Sequence, residues 1–322
     1  MDTPTTDSVY TLADLESDKC GIFSFLKGAQ SPQFAVFGHP IEHSLSPVMQ
    51  NAALEFLGAN SERFKSSRYF AFDIPPERLS EALKAFFNLN VLGINLTIPH
   101  KVLAMPLTES CEPLAESAGA CNTLKKTASG WAGYNTDIFG IQKAVEKSFN
   151  KSFEGSHIFL LGAGGAARAI AVAAENAKCR KLSIANRSKE RLDELVKLLE
   201  PNFKNISAFN SPGGFFGLER IAESGTIIIN ATKIGLSPTD PPVLDFSETN
   251  KNAVFFDTPY RRHSQTNSVL LARKCGLSAE SGLPMLAWQG ARSLAIWAES
   301  DELTEKFGDI MYAALEKWTS LL

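Results

Sequence analysis

Short apolar runs alternate with longer amphipathic stretches along the first third of the chain. Residues 34–37, 69–74 and 91–98 have the length and composition of buried strands, whereas residues 47–57 and 76–88 have the apolar spacing of helices. A strand–helix–strand rhythm of this kind predicts a mainly parallel sheet covered by helices.

The second of these helices shows the pattern most clearly. Leu79, Leu83, Phe86 and Phe87 recur at i, i+4, i+7 and i+8, so they fall on one face of a helix. Pro76 suits the first turn, where its missing N–H is not needed. We therefore expect this face to pack against the sheet.

A second series of the same kind begins near the middle of the chain. Strands are predicted at 158–161, 182–185 and 226–229, with a glycine turn and an Ala-rich helix after the first of them. Residues 288–322 are predicted to form two helices that return to the first series. The pattern predicts an α/β fold of two domains, the second of the Rossmann type.

The two series set the expected boundaries. The first domain is predicted to comprise residues 31–137 together with 288–322, and the second residues 138–287. Residues 1–30 are polar and only weakly periodic, so they are expected to be an extension or a docked arm without chemistry. With 322 residues each domain can bury a sizeable core, and we expect a cleft between the two.

The composition mainly excludes classes of function and of cellular location. The net charge of −3 provides no long-range field for recruiting nucleic acid or an anionic membrane. No apolar run reaches the roughly 18 residues of a membrane span, and the acidic N-terminus is unlike a signal peptide. The five cysteines lack C-x-x-C spacing, and His39, His43 and His100 lack metal-ligand spacing. We expect a cytoplasmic protein that acts on small molecules without a bound metal.

The glycine turn of the second domain predicts a nucleotide site. It follows an apolar strand and precedes a run of helix formers, and glycines there let the backbone approach a pyrophosphate at the start of the helix. The alternative is a tight strand-to-helix turn without a ligand. The residues expected to contact the nucleotide are Gly162, Ala163, Gly164, Gly165 and Ala166.

The end of the next strand distinguishes between the two nicotinamide cofactors. An acidic residue there would bind a ribose hydroxyl, but the strand ends in Asn186, Arg187 and Ser188 without a carboxylate. Arg187 can stack on adenine and pair with a phosphate in a forked geometry. NADP is therefore favoured over NAD, and the alternative is a solvated basic helix start.

Lys101 and Asp137 are the candidates for proton transfer. Oxidation of an alcohol removes a proton from oxygen as a hydride leaves carbon, so a titratable group must lie within hydrogen-bond reach of that hydroxyl. A partly buried lysine beside a carboxylate can serve. The alternative from residue types alone is an exposed lysine at a helix start and an Asp at a helix N-cap.

Several polar motifs follow one another along the chain in an order typical of one family. They are Gly38-His39-Pro40, Ser44-Leu45-Ser46-Pro47, Asn95-Leu96-Thr97-Ile98-Pro99-His100-Lys101, Gly119-Ala120-Cys121-Asn122-Thr123-Leu124, Gly133-Tyr134-Asn135-Thr136-Asp137, the glycine turn, Asn186-Arg187-Ser188, Asn230-Ala231-Thr232 and Gly282-Leu283-Pro284-Met285-Leu286 leading to Gln289. Over about residues 34–300 the chain thereby resembles the shikimate dehydrogenase family.

The resemblance implies an NADP-dependent oxidoreductase that reversibly reduces 3-dehydroshikimate to shikimate. Lys101 would face the reacting hydroxyl, and hydroxyl and amide side chains would bind the remainder of a polyhydroxylated acid by hydrogen-bond matching. The substrate-binding residues implied are Ser44, Ser46, Asn95, Thr97, Lys101, Asn122, Asp137, Tyr260 and Gln289. Thr232, Gly282 and Met285 would contact the cofactor. Ser44 and Ser46 are also expected to cap the following helix.

Departures from the family pattern leave other functions open. Lys233 stands where the family usually has proline, and Thr258-Pro259 replaces an apolar pair beside the expected nicotinamide site. A quinate or quinate/shikimate dehydrogenase, a non-catalytic ligand-sensing homologue and an unrelated Rossmann-type reductase are the alternatives. A monomer and a homodimer are both compatible with the sequence.

Overall fold

The chain forms two compact units, each built around its own sheet. The structure, a computed structural model, describes residues 4–262 and 264–320, so the outermost residues of the predicted segments 1–30 and 288–322 lie outside it. One unit runs to Thr136 and also includes Ala287–Trp318, and the other is built from Asp137–Leu286. The predicted α/β class with parallel sheets is confirmed.

The first unit contains a mixed sheet. Its strands are β1 (Val9–Thr11), β2 (Gln33–Gly38), β3 (Tyr69–Asp73), β4 (Val91–Leu96), β5 (Ser110–Cys111), β6 (Thr123–Lys126) and β7 (Trp131–Tyr134). They lie in the order β1-β3-β2-β4-β6-β7-β5, with parallel pairing from β1 to β4 and antiparallel pairing of β4 with β6 and of β6 with β7.

The second unit contains a wholly parallel sheet. Its strands are β8 (His157–Leu161), β9 (Lys181–Asn186), β10 (Ile206–Asn210), β11 (Ile227–Asn230), β12 (Val254–Asp257) and β13 (Ser278–Glu280). Their order β10-β9-β8-β11-β12-β13 is the doubly wound arrangement, with the first strand of the series at the centre.

Helices connect the strands in both units. The long helix α11 starts in the second unit and continues into the first. The helices are α1 (Leu12–Glu16), α2 (Ile22–Gly28), α3 (Ser46–Asn60), α4 (Leu79–Phe87), α5 (His100–Leu103), α6 (Pro113–Ala118), α7 (Thr136–Phe149), α8 (Gly165–Asn176), α9 (Lys189–Leu199), α10 (Asn267–Lys274), α11 (Leu283–Ala298) and α12 (Thr304–Ser320).

The helical period predicted for α4 corresponds to its buried face. Leu79, Leu83 and Phe86 are buried, and Phe86 meets Phe37 and Phe72 edge to face at ring-centroid distances of 4.8 Å. Residues 76–78 form a 3₁₀ turn, so the α-helix begins three residues later than predicted. The face that the sequence pattern defines is thus the face that covers the sheet.

The N-terminal segment is part of the first sheet. β1 pairs in parallel with β3, and Tyr10 packs against Phe70 and Phe72. Apolar side chains of α1 and α2 are buried in the same core. Of the two expectations for residues 1–30, an extension and a docked arm, the described part corresponds to the docked one. Its elements are only three to seven residues long, so no apolar period extends far along the sequence.

Two other differences concern where elements end. The strand predicted at 91–98 stops at Leu96, and Thr97 leads into the short helix α5. α11 begins at Leu283 rather than near residue 288 and carries Pro284 in its first turn, a position that proline favours. Among the described residues no helix is long and apolar enough to cross a membrane.

Candidate functional site

A network of neutral polar side chains lies where β4 and β6 meet in the first unit. Asn95, in β4, donates through Nδ2 to Ser293 Oγ at 2.9 Å and to Thr123 Oγ1 at 3.0 Å. Its Oδ1 accepts from the Tyr69 hydroxyl at 2.8 Å. All four residues are buried, so each polar atom depends on a protein partner rather than on bulk water.

Asn122 extends the network towards α7 and α11. Its Oδ1 accepts from the backbone N–H of Thr136 at 2.8 Å, and its Nδ2 donates to Thr136 Oγ1 at 3.0 Å and to Gln289 Oε1 at 3.2 Å. Three of the predicted substrate-binding residues, Asn95, Asn122 and Gln289, are therefore brought together. The amides of Asn95 and Asn122 are held at fixed orientations because most of their hydrogen-bonding capacity is used within the protein.

Ser44 and Ser46 lie at the start of α3, as the Ser-x-Ser-Pro motif predicts. Ser44 Oγ accepts from the backbone N–H of Ser46 at 3.3 Å, but no side chain caps the helix and the N-cap position belongs to Leu45. The expected capping role is thus limited to that one contact. Burial raises the pKa of the Tyr69 hydroxyl well above its usual value, although Ser46 opposes the shift, so this hydroxyl stays protonated and able to donate to Asn95.

Lys101 is held beside this network by its backbone. It is the second residue of α5, is half-buried, and accepts through its carbonyl from the N–H of Cys121 at 2.9 Å. Thr97 donates its backbone N–H to Phe37 at 2.9 Å. Because Cys121 immediately precedes Asn122, the lysine and the amide network are fixed to the same edge of the sheet. Asp137 directly follows Thr136, is 5% exposed and lies in the first turn of α7.

The second unit presents its glycine turn at the end of β8. Gly162 has φ +113°, and a Cβ there would lie 3.0 Å from the carbonyl oxygen of Ala231. Gly164 is the N-cap of α8, and no atom lies within 4 Å of a Cβ built at Gly164 or Gly165. Gly162 is required by the turn itself. Gly164 and Gly165 instead leave open space at the start of α8, a helix of twelve residues. That geometry fits an anionic phosphate group.

The tip of β9 carries the residues expected to select the cofactor. Ser188 is the N-cap of α9, accepting from the N–H of Arg191 at 3.3 Å, and Asn186 Nδ2 donates to the Ser188 carbonyl at 2.8 Å. Arg187 is exposed, and among the described residues its guanidinium has no hydrogen-bond or ion-pair partner. Lys189 pairs with Asp193 at 2.6 Å within α9. Arg187 is the cation that this tip leaves available for a phosphate.

A buried carboxyl group organises the loop that carries Thr232. Asn230 Nδ2 donates to Asp257 Oδ1 at 2.6 Å and to the Ile234 carbonyl at 2.9 Å, and its Oδ1 accepts from the N–H and the hydroxyl of Thr232. Thr266 also donates to Asp257. Burial raises the pKa of Asp257 to about 7. The Thr232 loop is thus held by a carboxyl that changes charge near neutral pH.

Three further predicted residues lie after β12 and β13. Tyr260 is half-buried, Met285 is 8% exposed in the first turn of α11, and a Cβ at Gly282 would lie 2.0 Å from the Thr258 carbonyl oxygen. Only glycine therefore lets the two strand ends approach. Lys233, which departs from the expected proline, is exposed. Among the described residues no group of three or more His, Cys, Asp or Glu side chains could hold a metal ion.

Comparison with known proteins decides the family. Residues 36–124 match the model of the shikimate dehydrogenase substrate binding domain, and residues 143–233 match that of shikimate / quinate 5-dehydrogenase. Shikimate dehydrogenase (NADP(+)) of Aquifex aeolicus is 36% identical over 271 residues, covering 84% of this chain and 92% of that protein. The chain belongs to the shikimate dehydrogenase family. The resemblance inferred from its motifs is confirmed.

Solved structures of similar fold include more than one activity. Shikimate 5-dehydrogenase from Thermus thermophilus, crystallised with NADP(H) and shikimate, is 32% identical with a TM-score of 0.74, covering 89% of this chain and 99% of that one. The 5-ketofructose reductase of a Gluconobacter species is 27% identical with a TM-score of 0.76, covering 90% and 99% respectively. Proteins named for different activities thus share this fold.

The matched regions of the shikimate dehydrogenase family include most of the predicted site. Ser44 to Asn122, with Lys101, fall in the first match, and the glycine turn, the β9 tip and Thr232 fall in the second. Asp137, Tyr260, Gly282, Met285 and Gln289 lie outside both. The assignment of these five depends on the ordered motifs and on their places in the fold.

Sequence reasoning did not single out four members of the polar network. Thr123 and Thr136 lie in motifs whose predicted function rests on Asn122 and Asp137, and Tyr69 lies in the predicted strand 69–74. Ser293 follows Gln289 by four residues on α11, so helical periodicity alone places it on the same face. That spacing is the signal that could have found it.

Proposed function

We propose that this chain is an NADP-dependent shikimate dehydrogenase that reversibly reduces the ketone of 3-dehydroshikimate to the hydroxyl of shikimate. The observation that carries the proposal is the network of the buried Asn95 and Asn122 with the half-buried Gln289, fixed at the same sheet edge as Lys101. Neutral amides and hydroxyls suit a polyhydroxylated acid, since each unmatched group disfavours a wrong ligand.

Proton transfer is assigned to Lys101 and Asp137. In the direction of alcohol oxidation, Lys101 would take the proton of the reacting hydroxyl, and Asp137 would orient the ammonium group and stabilise its charge. When bound, NADP accepts the hydride in this direction and returns it in the other. Ser44 and Ser46 would bind the carboxylate, with Thr97 and Tyr260 beside them.

The residues of the second unit fit NADP. Gly164 and Gly165 leave room for a pyrophosphate at the start of α8, and the exposed Arg187 is suited to a 2′-phosphate. Thr232 and Met285 would line the nicotinamide side. We accordingly assign substrate binding to residues 31–137 with 288–322, and cofactor binding to residues 138–287.

Lys101→Ala tests the catalytic assignment. Purified protein with shikimate and NADP should produce the absorbance of NADPH, and the variant should lose kcat by about a hundredfold or more, the scale of a lost general acid–base, with a smaller change in KM. Lys84→Ala, which removes an exposed lysine of α4, is the matched control. Full turnover by Lys101→Ala would refute the role of Lys101.

A second candidate is a dehydrogenase that accepts quinate as well as shikimate, because the second matched model is named for both acids. Rates with each acid and with NADP or NAD, four pairings in all, distinguish these functions through kcat/KM. Tight shikimate binding without turnover would instead support a ligand-sensing homologue. The enzyme is proposed to be cytoplasmic, to act on small molecules without nucleic acid, and to be a monomer or homodimer, which light scattering after gel filtration determines.

A further inference from the structure

One hydroxyl group is the common partner of several elements of the polar network. Ser293 Oγ lies 2.9 Å from Asn95 Nδ2, 2.8 Å from Thr123 Oγ1 and 3.1 Å from Thr136 Oγ1, and it donates to the Gln289 carbonyl at 3.0 Å. Its side chain is fully buried. β4, β6, α7 and α11 thus meet at this atom.

The hydrogen-bond count shows what this hydroxyl does. A serine hydroxyl has one hydrogen and two acceptor positions. If the hydrogen goes to the Gln289 carbonyl, one acceptor position takes an N–H of Asn95 and the other takes a threonine hydroxyl. Rotating the Asn95 amide by half a turn would turn its oxygen towards the Asn122 carbonyl, which can only accept, and towards Ser293. Because the Ser293 hydrogen is used by the Gln289 carbonyl, Ser293 can only accept from Asn95 and so helps to fix one orientation.

That orientation determines what Asn95 can offer to a ligand. Its NH₂ group has two hydrogens and three protein acceptors within 3.2 Å, namely Ser293, Thr123 and the Asn122 carbonyl. Its Oδ1 accepts from Tyr69 and has a second acceptor position. Towards a ligand, Asn95 is consequently an acceptor, which matches a hydroxyl group.

We propose that Ser293 is a positioning residue that holds Asn95 with its carbonyl oxygen directed at a substrate hydroxyl, and so selects ring acids that carry a hydroxyl donor at that position. The proposal rests on the proposed function and deepens it. Ser293 acts through Asn95 and does not itself touch the substrate. Without the Ser293 oxygen, the NH₂ group of Asn95 keeps only Thr123 and the Asn122 carbonyl as acceptors, so the amide is held less firmly and its oxygen meets the substrate hydroxyl less well.

Ser293→Ala tests this role because the KM for shikimate can be compared with the KM for NADP in the same variant. We expect the KM for shikimate to rise about tenfold or more, the scale of one mismatched buried hydrogen bond, with the KM for NADP unchanged. Ser293→Cys, which replaces the hydroxyl by a somewhat larger thiol and a weak acceptor, should give an intermediate KM. It also provides the test if the alanine variant does not fold.

Ser268→Ala is the matched control. Ser268 is also a fully buried helix serine, and its Oγ accepts from the N–H of Val243 at 3.0 Å in the second unit. It should lower the melting temperature without changing the KM for shikimate. A KM that changed equally in both variants would show a general loss of stability and would overturn the positioning role.

A double-mutant cycle with Asn95→Ala tests the path of the effect. If Ser293 acts through Asn95, the KM of the double variant should equal that of Asn95→Ala within about twofold, rather than the product of the two changes. Multiplying effects, or a Ser293→Ala KM within twofold of wild type, would overturn the inference while leaving the proposed function intact. Absence of turnover by the wild type with shikimate would overturn both.

Discussion

Substitution of Gly164 by alanine should separate protein stability from cofactor affinity. Gly164 has φ −87° and ψ −169°, a conformation that alanine adopts, and its added Cβ would meet no atom within 4 Å. Alanine is a poorer N-cap than glycine, but it also reduces the conformational freedom of the unfolded chain. These effects oppose one another, so we expect the free energy of unfolding to change by less than about 1 kcal/mol.

The same methyl group should weaken NADP binding. If a pyrophosphate lies against the start of α8, the space into which the Cβ projects is the space that its oxygens occupy. Losing one charge-assisted hydrogen bond from a backbone N–H removes about 1.5–3 kcal/mol. At 1.4 kcal/mol per factor of ten, the dissociation constant of NADP should rise about tenfold to a hundredfold.

Calorimetric titration with NADP and chemical denaturation measure the two quantities on the same samples. Gly213→Ala is the matched control, since its Cβ also meets no atom within 4 Å and it lies outside the glycine turn. Gly162→Ala is the contrast: its φ of +113° and the nearby Ala231 carbonyl should make that variant unstable. Unchanged NADP affinity in Gly164→Ala would refute the placement of the cofactor at this turn.

Three other perturbations test separate parts of the structure. Gly93→Ala would place a Cβ 2.2 Å from the ring of Trp297, whose Nε1 donates to the Leu124 carbonyl at 2.9 Å, so overpacking should lower the free energy of unfolding by about 1–3 kcal/mol in denaturant titrations. Arg187→Ala should raise the KM for NADP about tenfold or more and change the KM for NAD little. Burial raises the pKa of Asp257 from 3.8 to about 7, so between pH 3.8 and about 7 the folded state keeps a proton that the unfolded state releases. The free energy of unfolding measured across that pH range should therefore fall by a few kcal/mol as the pH rises.

Each of these has an outcome that contradicts it. Gly28→Ala, with no atom near its Cβ, is the control for Gly93→Ala, and equal stabilities would show that the indole can move aside. Equal losses with NADP and NAD in Arg187→Ala would place that side chain away from the 2′-phosphate. Asp257→Asn should remove the predicted pH dependence, and an unchanged slope would assign it to another group.

The local sequence pattern predicts most of the fold but a smaller part of the candidate site. The second sheet could be anticipated because strands such as β8 are continuous apolar runs and its glycine turn marks where the helix begins. The period of α4 likewise fixes its buried face. These features are determined by neighbours in the sequence, and single-chain reasoning has access to them.

The polar network depends on contacts between distant residues. Ser293 meets Asn95 across 198 positions and Thr123 across 170, and no periodicity in the chain records such a pairing. Asp257 similarly acquires its raised pKa from burial in the folded unit. Motif order identified the amides of the candidate site, and helical spacing from Gln289 could point to Ser293, whereas the contacts by which Ser293, Thr123 and Tyr69 orient those amides emerged only from the three-dimensional arrangement.

The short strand β1 also has a consequence for colloidal behaviour. It occupies the rim of the first sheet beside β3 with only three residues, Val9–Thr11. An edge strand this short offers few free amides and carbonyls to a neighbouring molecule, whereas β3 beside it is longer and rich in aromatic side chains. By pairing with β3, the segment that contains β1 therefore protects the sheet against edge-to-edge aggregation.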